Sequence, residues 1–261
     1  MATYPLQRIF EGGQYVNGAT LNAQATAYAD FILAPSISKL IKTTGTATVT
    51  IPPTIPVTVP WETPVLTRGD VSFSTVNKFA TPSIVSYISA TSAAFTFSSL
   101  TNLSPISIGD RITTSGFSNA TYNVTNAIIT NIVSSTITVV LSTAAFSNPY
   151  SGTFGILSSL ASQYATINTT GLYRLSGRID FPIGYVGNRQ GDIVSTSGTT
   201  NTVHSRSKAA YADASYLQIT PRIASLASGN VVKVQAFNLN AGVTNIFLVG
   251  ASLQIDWIRQ T

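Results

Sequence analysis

His204 is the only histidine in the chain and the group best suited to acid–base chemistry near neutral pH. A serine hydrolase needs such a histidine to face an exposed serine and to be held by a carboxylate. Neither Asp192 nor Asp213 has a distinctive spacing to His204, and the sequence contains no Gly-x-Ser-x-Gly elbow. We therefore interpret His204 as a surface residue of the polar segment 201–206, for which a loop is predicted.

Carboxylates are the other groups that could carry a reaction, because a glycosidase needs two of them beside a sugar bond. The nine acidic residues are spread singly along the chain: Glu11, Asp30, Glu62, Asp70, Asp110, Asp180, Asp192, Asp213 and Asp256. Convergence of distant carboxylates, as in a sugar-cleaving spike, stays open as a third alternative. With no cysteine, one histidine and no dense acidic loop, no metal site is expected.

Glycine spacing gives no sign of a nucleotide either. Gly184, Gly187 and Gly191 do not follow the dinucleotide fingerprint, and no predicted helix follows them to receive a phosphate. We expect no catalytic residue, no cofactor and no enzymatic activity.

The composition favours a folded chain that docks against neighbours. Of 261 residues only 9% are charged, against about 25% in a typical soluble protein, and 44% are hydrophobic. Serine, threonine, asparagine and alanine replace the usual surface charges, so this surface could be buried with little desolvation of ions. The first residues lack the apolar stretch of a signal peptide, and no run of about eighteen apolar residues occurs, so no membrane span is expected.

The formal net charge of +5 is concentrated at the C-terminal end. Residues 158–261 contain eight basic and four acidic residues, hence +4, whereas residues 81–157 contain only Arg111 and Asp110. The basic residues are scattered singly and do not cluster with stacking aromatic residues. Nucleic-acid binding is therefore not expected.

Residues 1–42 form a segment of distinct character. Phe10, Tyr15 and the glycines between them indicate an extended arm, and Asn22 could cap a short helix over residues 23–32 that ends before Pro35. The pattern from Phe10 through Leu21 and Asn22 resembles the N-terminal arm of phage fibre and head-appendage proteins. That resemblance implies an attachment arm whose contacts include Phe10, Tyr15, Leu21 and Asn22.

Residues 43–82 are predicted to contain a linker and one strand. Pro52, Pro53, Pro56 and Pro60 cannot lie in a central strand, so an extended linker or a sheet edge is expected there. The alternation of Val71 and Phe73 then predicts a half-buried strand.

Residues 83–157 are almost uncharged and rich in short β runs. Strands are predicted at 84–88, 94–97, 112–114, 127–133 and 136–141, with a hairpin turn at Ser134-Ser135. The Gly109-Asp110 turn, together with Gly116-Phe117 and Tyr122-Asn123, resembles a small β-barrel module that recurs in phage tail and capsid proteins. The resemblance implies a small β-barrel or β-sandwich over these residues.

Residues 158–261 resemble the C1q/tumour-necrosis-factor jelly roll. The resemblance rests on Gly171-Leu172-Tyr173, on Gly229-Asn230-Val231 and on the closing Phe247-Leu248-Val249-Gly250-Ala251-Ser252-Leu253. Asn230 stands where that family usually has aspartate. The predicted fold class is thus mainly β, with a jelly-roll sandwich, a small inserted β module and an N-terminal arm carrying one short helix.

The order of these segments predicts an insertion. Trp61 to Phe79 looks like the first jelly-roll strand and its turn, yet Gly171 follows only after the β module. We therefore interpret 83–157 as a module inserted into one jelly roll formed by 43–82 and 158–261, since loop closure tolerates long insertions. Three consecutive domains remain the alternative.

The jelly-roll resemblance implies a homotrimer in which inner-sheet aromatic residues meet on a threefold axis, and Tyr173 and Phe247 are the candidates. An exposed face made by Tyr185, Asn188, Arg189, His204 and Arg206 is predicted to contact a partner or a glycan. The expected function is a non-enzymatic phage virion structural protein of the capsid-decoration or head-fibre type, on the capsid exterior. The alternative is a short tail fibre or receptor-binding protein, attached to a tail or baseplate protein and recognising host surface glycans.

Overall fold

The fold is taken from a computed structural model. It describes residues 37–41, 48–61, 63–66, 69–74, 76–141, 143–159, 163–181, 188–210, 216–239 and 244–259. Within these ranges, residues 37–41, 48–50, 63–66, 210, 244–250 and 259 are placed by their backbone pairing only.

Nearly all regular structure in the described residues is β. The strands are β1 (Ile37–Ile41), β2 (Thr48–Ile51), β3 (Val57–Thr58), β4 (Thr63–Leu66), β5 (Val71–Phe73), β6 (Lys78–Ala80), β7 (Ile84–Ser89), β8 (Ser92–Thr96), β9 (Arg111–Ser115), β10 (Ala127–Val133), β11 (Thr136–Val140), β12 (Ile156–Ser159), β13 (Ala165–Ile167), β14 (Gly171–Asp180), β15 (Asn188–Ser197), β16 (Thr200–Ala210), β17 (Tyr216–Leu226), β18 (Val231–Asn238) and β19 (Thr244–Arg259). One 3₁₀ turn spans Ala120–Tyr122.

Two antiparallel sheets form a jelly-roll sandwich. Sheet 1 has the order β17-β14-β19-β1-β4, with β2 also paired to β19, and sheet 2 has the order β16-β15-β18-β13-β5, with β3 also paired to β18. From β13 onwards the chain crosses repeatedly between the sheets, as in a jelly roll. Alternate residues of both sheets point inward and build one core, which includes Trp61, Leu175, Ile193 and Val234.

The proline-rich segment forms short edge strands. β2 and β3 flank Pro52, Pro53 and Pro56, and they pair with β19 and β18, as the proline content requires. Strand β1 differs from the expectation of an arm over residues 1–42, since it lies between β19 and β4 in sheet 1. Its sequence, Ile-Ser-Lys-Leu-Ile, is apolar enough for a sheet, although it follows a proline and is short. The helix predicted over residues 23–32 lies outside the described residues.

A third, seven-stranded sheet is built from residues between β5 and β13. Sheet 3 has the order β6-β12-β9-β10-β11-β8-β7, and its strands β7 to β11 confirm the five strands predicted from alternation. Its edges β6 and β7 do not pair with each other, so the described strands form an open sheet and not a closed barrel. Connecting segments cover its inner face and bury a separate core, which includes Phe95, Leu103, Tyr122 and Phe146.

The chain enters and leaves sheet 3 at neighbouring strands. β6 and β12 pair directly, with Ala80 opposite Leu157, while β5 and β13 pair in sheet 2 with Phe73 opposite Ala165. The sheet spans 78–159, compared with the module predicted over 83–157. The mainly β jelly-roll class is confirmed.

Candidate functional site

The β15–β16 hairpin contains four of the residues predicted to form an exposed face, but Arg189 is 1% exposed and that part of the prediction is wrong, because its side chain points into the protein. Asn188 and Arg189 begin β15, while His204 and Arg206 lie in β16, where Arg206 is opposite Asp192. The loop predicted for 201–206 is therefore wrong, because alternating polar side chains here belong to the edge strand of sheet 2. Tyr185 lies outside the described residues.

Asp192 fixes the orientation of Arg206. The carboxylate is buried and accepts hydrogen bonds from Arg206 Nη2 at 2.7 Å, Arg206 Nε at 3.0 Å and Gln190 Nε2 at 3.1 Å. This two-nitrogen contact raises the pKa of Arg206 through the hydrogen bond to Asp192. Because the Arg206 side chain stays 48% exposed, a directed cation is presented at the surface.

A pocket opens at the end of this hairpin. Its volume is about 350 Å³, and it is lined by Asn188, Arg189, Lys208, Ala209 and Leu239. Lys208 is exposed, whereas Arg189 is almost fully buried and places its guanidinium carbon 5.0 Å from the centre of the Phe181 ring. The pocket thus combines apolar walls with one exposed cation, Lys208, and an amide, which suits a small polar ligand with negative charge.

His204 is half-buried and pairs with a serine. Its Nε2 lies 2.7 Å from Ser195 Oγ, and burial lowers the pKa of the imidazole below its usual 6.5. Ser195 is only 7% exposed, and Asp192 is engaged by Gln190 and Arg206. Within the described residues, no carboxylate hydrogen-bonds His204, so the pair there lacks the third group of a catalytic triad.

A buried ion pair joins sheet 3 to sheet 2, and sequence analysis did not predict it. Lys233 Nζ donates to the carboxylate of Asp110 and, at 3.1 Å, to Ser107 Oγ. The other Asp110 oxygen accepts from Thr58 Oγ1 at 2.7 Å. Lys233 and Asp110 are both buried, and burial lowers the pKa of Lys233 while Asp110 opposes that change.

Backbone hydrogen bonds add to this junction, the contact between sheet 2 and sheet 3 around Lys233 and Asp110. Thr58 N donates to the Gly109 carbonyl at 2.8 Å, and Gly109 N donates to the Ile129 carbonyl at 2.8 Å, which links β3 to β10. Gln235 Nε2 donates to the Ile108 carbonyl at 2.8 Å. The outer face of sheet 2 is therefore covered at β18. A lysine among the valines of β18, Val231-Val232-Lys233-Val234, is the sequence signal that could have indicated a paired buried charge.

The two aromatic residues expected on a threefold axis are placed differently. Tyr173 is fully buried between the sheets, and its hydroxyl donates to the Thr169 carbonyl. Its desolvation raises the pKa of the phenol, with a smaller contribution from Asp70. Tyr173 is a core residue and offers no surface to another copy, which corrects that assignment. Phe247 is placed by its backbone, opposite Asp180 and Thr48.

The outer face of sheet 1 is open in the described residues, and it carries one ion pair beside an exposed cation, Arg174 of β14. Arg178 Nε donates to Asp180 Oδ1 at 2.7 Å and its guanidinium carbon lies 4.4 Å from the centre of the Tyr216 ring. Gln254 Nε2 donates to Asp256 Oδ1 at 3.0 Å on the neighbouring strand. Tyr216 is 49% exposed and Ile223 is 65% exposed on β17. This face therefore offers apolar side chains for burial, with the exposed Arg174 opposite Ile223.

Three further points concern the attachment arm, metal-ligating clusters and long apolar helices. Four predicted attachment-arm residues lie outside the described residues: Phe10, Tyr15, Leu21 and Asn22. The described residues contain no cluster of three histidine, cysteine or acidic side chains able to hold a metal ion. They also contain no helix long and apolar enough to cross a membrane.

Comparisons with known proteins find only weak similarity in sequence and structure. No protein-family model matches the chain, and no curated protein matches it significantly. The Eiger TNF of S. frugiperda is 9% identical with a TM-score of 0.33, and the match covers 39% of this chain and 68% of that one. Murine APRIL at pH 5.0 is 11% identical with a TM-score of 0.29, covering 36% and 72%. Murine APRIL at pH 8.0 is 13% identical with a TM-score of 0.30, covering 57% and 97%. The jelly roll is defined here by the strand order of sheets 1 and 2.

Proposed function

We propose that this chain is a non-enzymatic virion structural protein of the capsid-decoration or head-fibre type. It assembles as a homotrimer through sheet 1 and docks on a major capsid protein through its N-terminal residues. The low charge content and the resemblance of the arm pattern to phage appendage proteins support this role.

The observation that carries the trimer is the contrast between the two jelly-roll faces. Sheet 2 is covered at β18 by the junction with sheet 3, whereas the outer face of sheet 1 is open among the described residues and exposes Tyr216 and Ile223. Arg178 is already paired with Asp180, so association does not leave that charge isolated, whereas Arg174 on the same face stays an exposed cation. Apolar and aromatic anchors on such a face favour an interface.

Light scattering over a concentration series tests the trimer. The smallest stable species is expected to have three times the chain mass of 27.5 kDa. Ser176→Arg, at the centre of the outer face opposite Gln254, is expected to yield monomers because it adds three unpaired cations to one interface. Asn102→Arg, on an exposed turn of the module, is the matched control and should keep the trimer. A wild-type monomer at all concentrations would reject the assembly, and binding to purified empty capsids tests the docking.

The pocket beside Lys208 supports a second candidate, a receptor-binding protein that recognises host surface glycans. Its exposed Lys208 and apolar wall suit an acidic sugar. Adsorption of the free protein to host cells is expected to fall at least tenfold in Lys208→Ala. Arg222→Ala removes an exposed cation from β17 and should leave adsorption unchanged. Equal adsorption by both variants and wild type would remove this candidate.

A further inference from the structure

The exposed surface of sheet 3 is unusual for its lack of charge. Between Phe79 and Tyr173 the only charged residues are Asp110 and Arg111, and both are buried. Burial lowers the pKa of Arg111 to about 10, which reflects how little water reaches it. Any surface formed by this part of the chain is neutral, in a protein whose net charge is +5.

Strand β7 is an open edge of this neutral sheet. Among the described residues it pairs only with β8, and it contains neither the lysine nor the proline that commonly protects an edge strand. Ile84 and Ile88 are 55% and 53% exposed on its outer face. Val85 and Tyr87 point to the other face and pack, half-buried, against the core of the module. The opposite edge, β6, has only three residues and begins with Lys78.

The sequence of β7 is self-complementary about its centre. In Ile84-Val85-Ser86-Tyr87-Ile88, an antiparallel copy centred on Ser86 places Ile84 opposite Ile88 on the outer face. The same register places Val85 opposite Tyr87 on the core face. The Tyr87 ring of each copy then extends the sheet 3 core of the other copy at the β7 edge. Pairing with β8 is regular from Ile84 to Tyr87 and shifts only after Tyr87, so the centre lies in the regular part of the strand.

We propose that β7 is a self-association edge, which pairs antiparallel with β7 of a second copy and joins two sheets 3 into one continuous sheet. A twofold interface repeats each residue pair, so in this register the apolar Ile84–Ile88 pair and the Val85–Tyr87 pair each occur twice. This contact is separate from the proposed trimer face on sheet 1 and would link one trimer to another.

A second copy fits this neutral edge as its occupant. Two copies that pair through β7 bring no like charges into contact there, although each chain carries a net charge of +5. A partner of strong opposite charge would find no cation on this face to contact. Paired isoleucines and an extended backbone ladder instead match an identical neutral strand.

A single engineered cysteine tests the register, because the chain contains no natural cysteine. In Ser86→Cys the two cysteines lie opposite one another, at a Cα separation of about 4.5–5.5 Å that suits a disulfide. The matched control is Ser83→Cys, an exposed serine just before the same strand. In this register the two copies of residue 83 are separated by about 20 Å. Mild oxidation of the full chain should give a covalent dimer of Ser86→Cys and at least tenfold less of Ser83→Cys.

A charge placed in the edge tests the interface independently. Ile88→Lys puts a cation opposite Ile84 twice in each interface and should arrest assembly at the trimer. Val133→Lys adds the same charge at an exposed hairpin end three strands away and should not. Circular dichroism confirms that each variant is folded before its mass is measured.

Two outcomes would overturn the proposal. The first is a folded Ser86→Cys protein that forms no covalent dimer, as expected if residues 1–36 of the same chain or another protein cover β7. The second is equal crosslinking of both cysteine variants. Failure of the trimer is distinguishable, since Ser176→Arg removes the trimer while leaving the Ser86→Cys crosslink intact.

Discussion

Lys233 forms the buried ion pair that joins sheet 2 to sheet 3. Lys233 lies between two valines in the sequence of β18. Its ammonium group is fully buried and contacts the Asp110 carboxylate and Ser107 Oγ. Transferring both charges out of water is costly, and only their mutual attraction and the added hydrogen bonds offset it. A displacement of sheet 3 on sheet 2 that separated Lys233 from Asp110 would leave two buried charges unpaired.

Removing one member of this pair should be worse than removing both. Lys233→Met leaves the Asp110 carboxylate buried without its cation, and we expect the free energy of unfolding to fall by about 3–5 kcal/mol. Lys233→Met combined with Asp110→Asn should recover a large part of that loss. Urea unfolding of the two single variants and the double variant checks this prediction, and an additive double variant would contradict it.

His204 should give the protein a weak sensitivity to acid. Burial lowers its pKa below 6.5, so the unfolded chain binds the proton first as the pH falls below 6.5. Stability contributed by the neutral form is thus present above pH 6.5 and is lost as the pH falls through the lower, folded pKa. His204→Gln should flatten the dependence of the free energy of unfolding on pH between 6.5 and about 5, above the range of ordinary carboxylates.

The control for this prediction is Ser195→Ala. It removes the hydroxyl 2.7 Å from His204 Nε2 but keeps the imidazole, so its acid dependence should persist. An unchanged pH profile in His204→Gln would show that another group is responsible.

The surroundings of single residues were the hardest features to predict from the sequence. The sequence shows Lys233 and Asp110 as ordinary charges 123 positions apart, and only the fold brings them together. Tyr173 followed a family pattern that implied an interface, whereas inward alternation on β14 makes it a core residue. The segment around His204 was predicted as a loop, whereas it lies in β16, because polar side chains alternate along this edge strand.

At the scale of elements, the turn before β9 is the tightest point of the junction. Gly109 has a φ of +94°, and a Cβ there would lie 2.7 Å from Gln235 Nε2 and 3.0 Å from the Pro56 carbonyl oxygen. Only glycine combines that conformation with such a close approach of two segments.

Gly109→Ala should therefore be more destabilising than an alanine placed at a similar φ in open space. Gly229 has a φ of +87° and no atom within 4 Å of an added Cβ, which makes Gly229→Ala the matched control. We expect the control to cost about 1–2 kcal/mol for backbone strain alone. Calorimetry should show a clearly lower Tm for Gly109→Ala than for Gly229→Ala. Equal Tm values would mean that the neighbouring segments accommodate the added Cβ without loss of stability.

Strands made of β-branched runs bounded by turns were predictable. β10 matches its predicted bounds because Ala127 to Val133 is a β-branched run before the Ser134-Ser135 turn, where Ser134 has a φ of +53°. β1 was not predictable, because five residues carry too little periodicity and its partner β19 lies over two hundred positions away. Long-range pairing decides such strands, and it leaves no local signal.

At the scale of the whole molecule, two cores should respond separately to mutation. Phe95 and Leu175 are both fully buried, in the core of sheet 3 and in the jelly-roll core respectively. Phe95→Ala should lower the local stability of sheet 3 by about 3–5 kcal/mol. Hydrogen exchange should then accelerate over β7 to β12, while β14 and β19 keep their protection.

Leu175→Ala is the reciprocal variant. It should accelerate exchange in sheets 1 and 2, with less change in the strands of sheet 3. Uniform acceleration along the chain in both variants would mean that the two cores unfold as one unit, and the interpretation of 83–157 as an inserted module would lose its energetic basis.

The adjacency of β6 and β12 has a consequence for the history of such a chain. Because the strands that enter and leave sheet 3 lie side by side, recombination could gain, lose or exchange the whole sheet at a single position of the jelly roll. Lys233 restricts that exchange, since it belongs to the jelly roll and needs a carboxylate from whatever occupies that position. An incoming sheet without a residue equivalent to Asp110 would leave a buried, unpaired cation, so compatible replacements are recognisable by that one acidic residue.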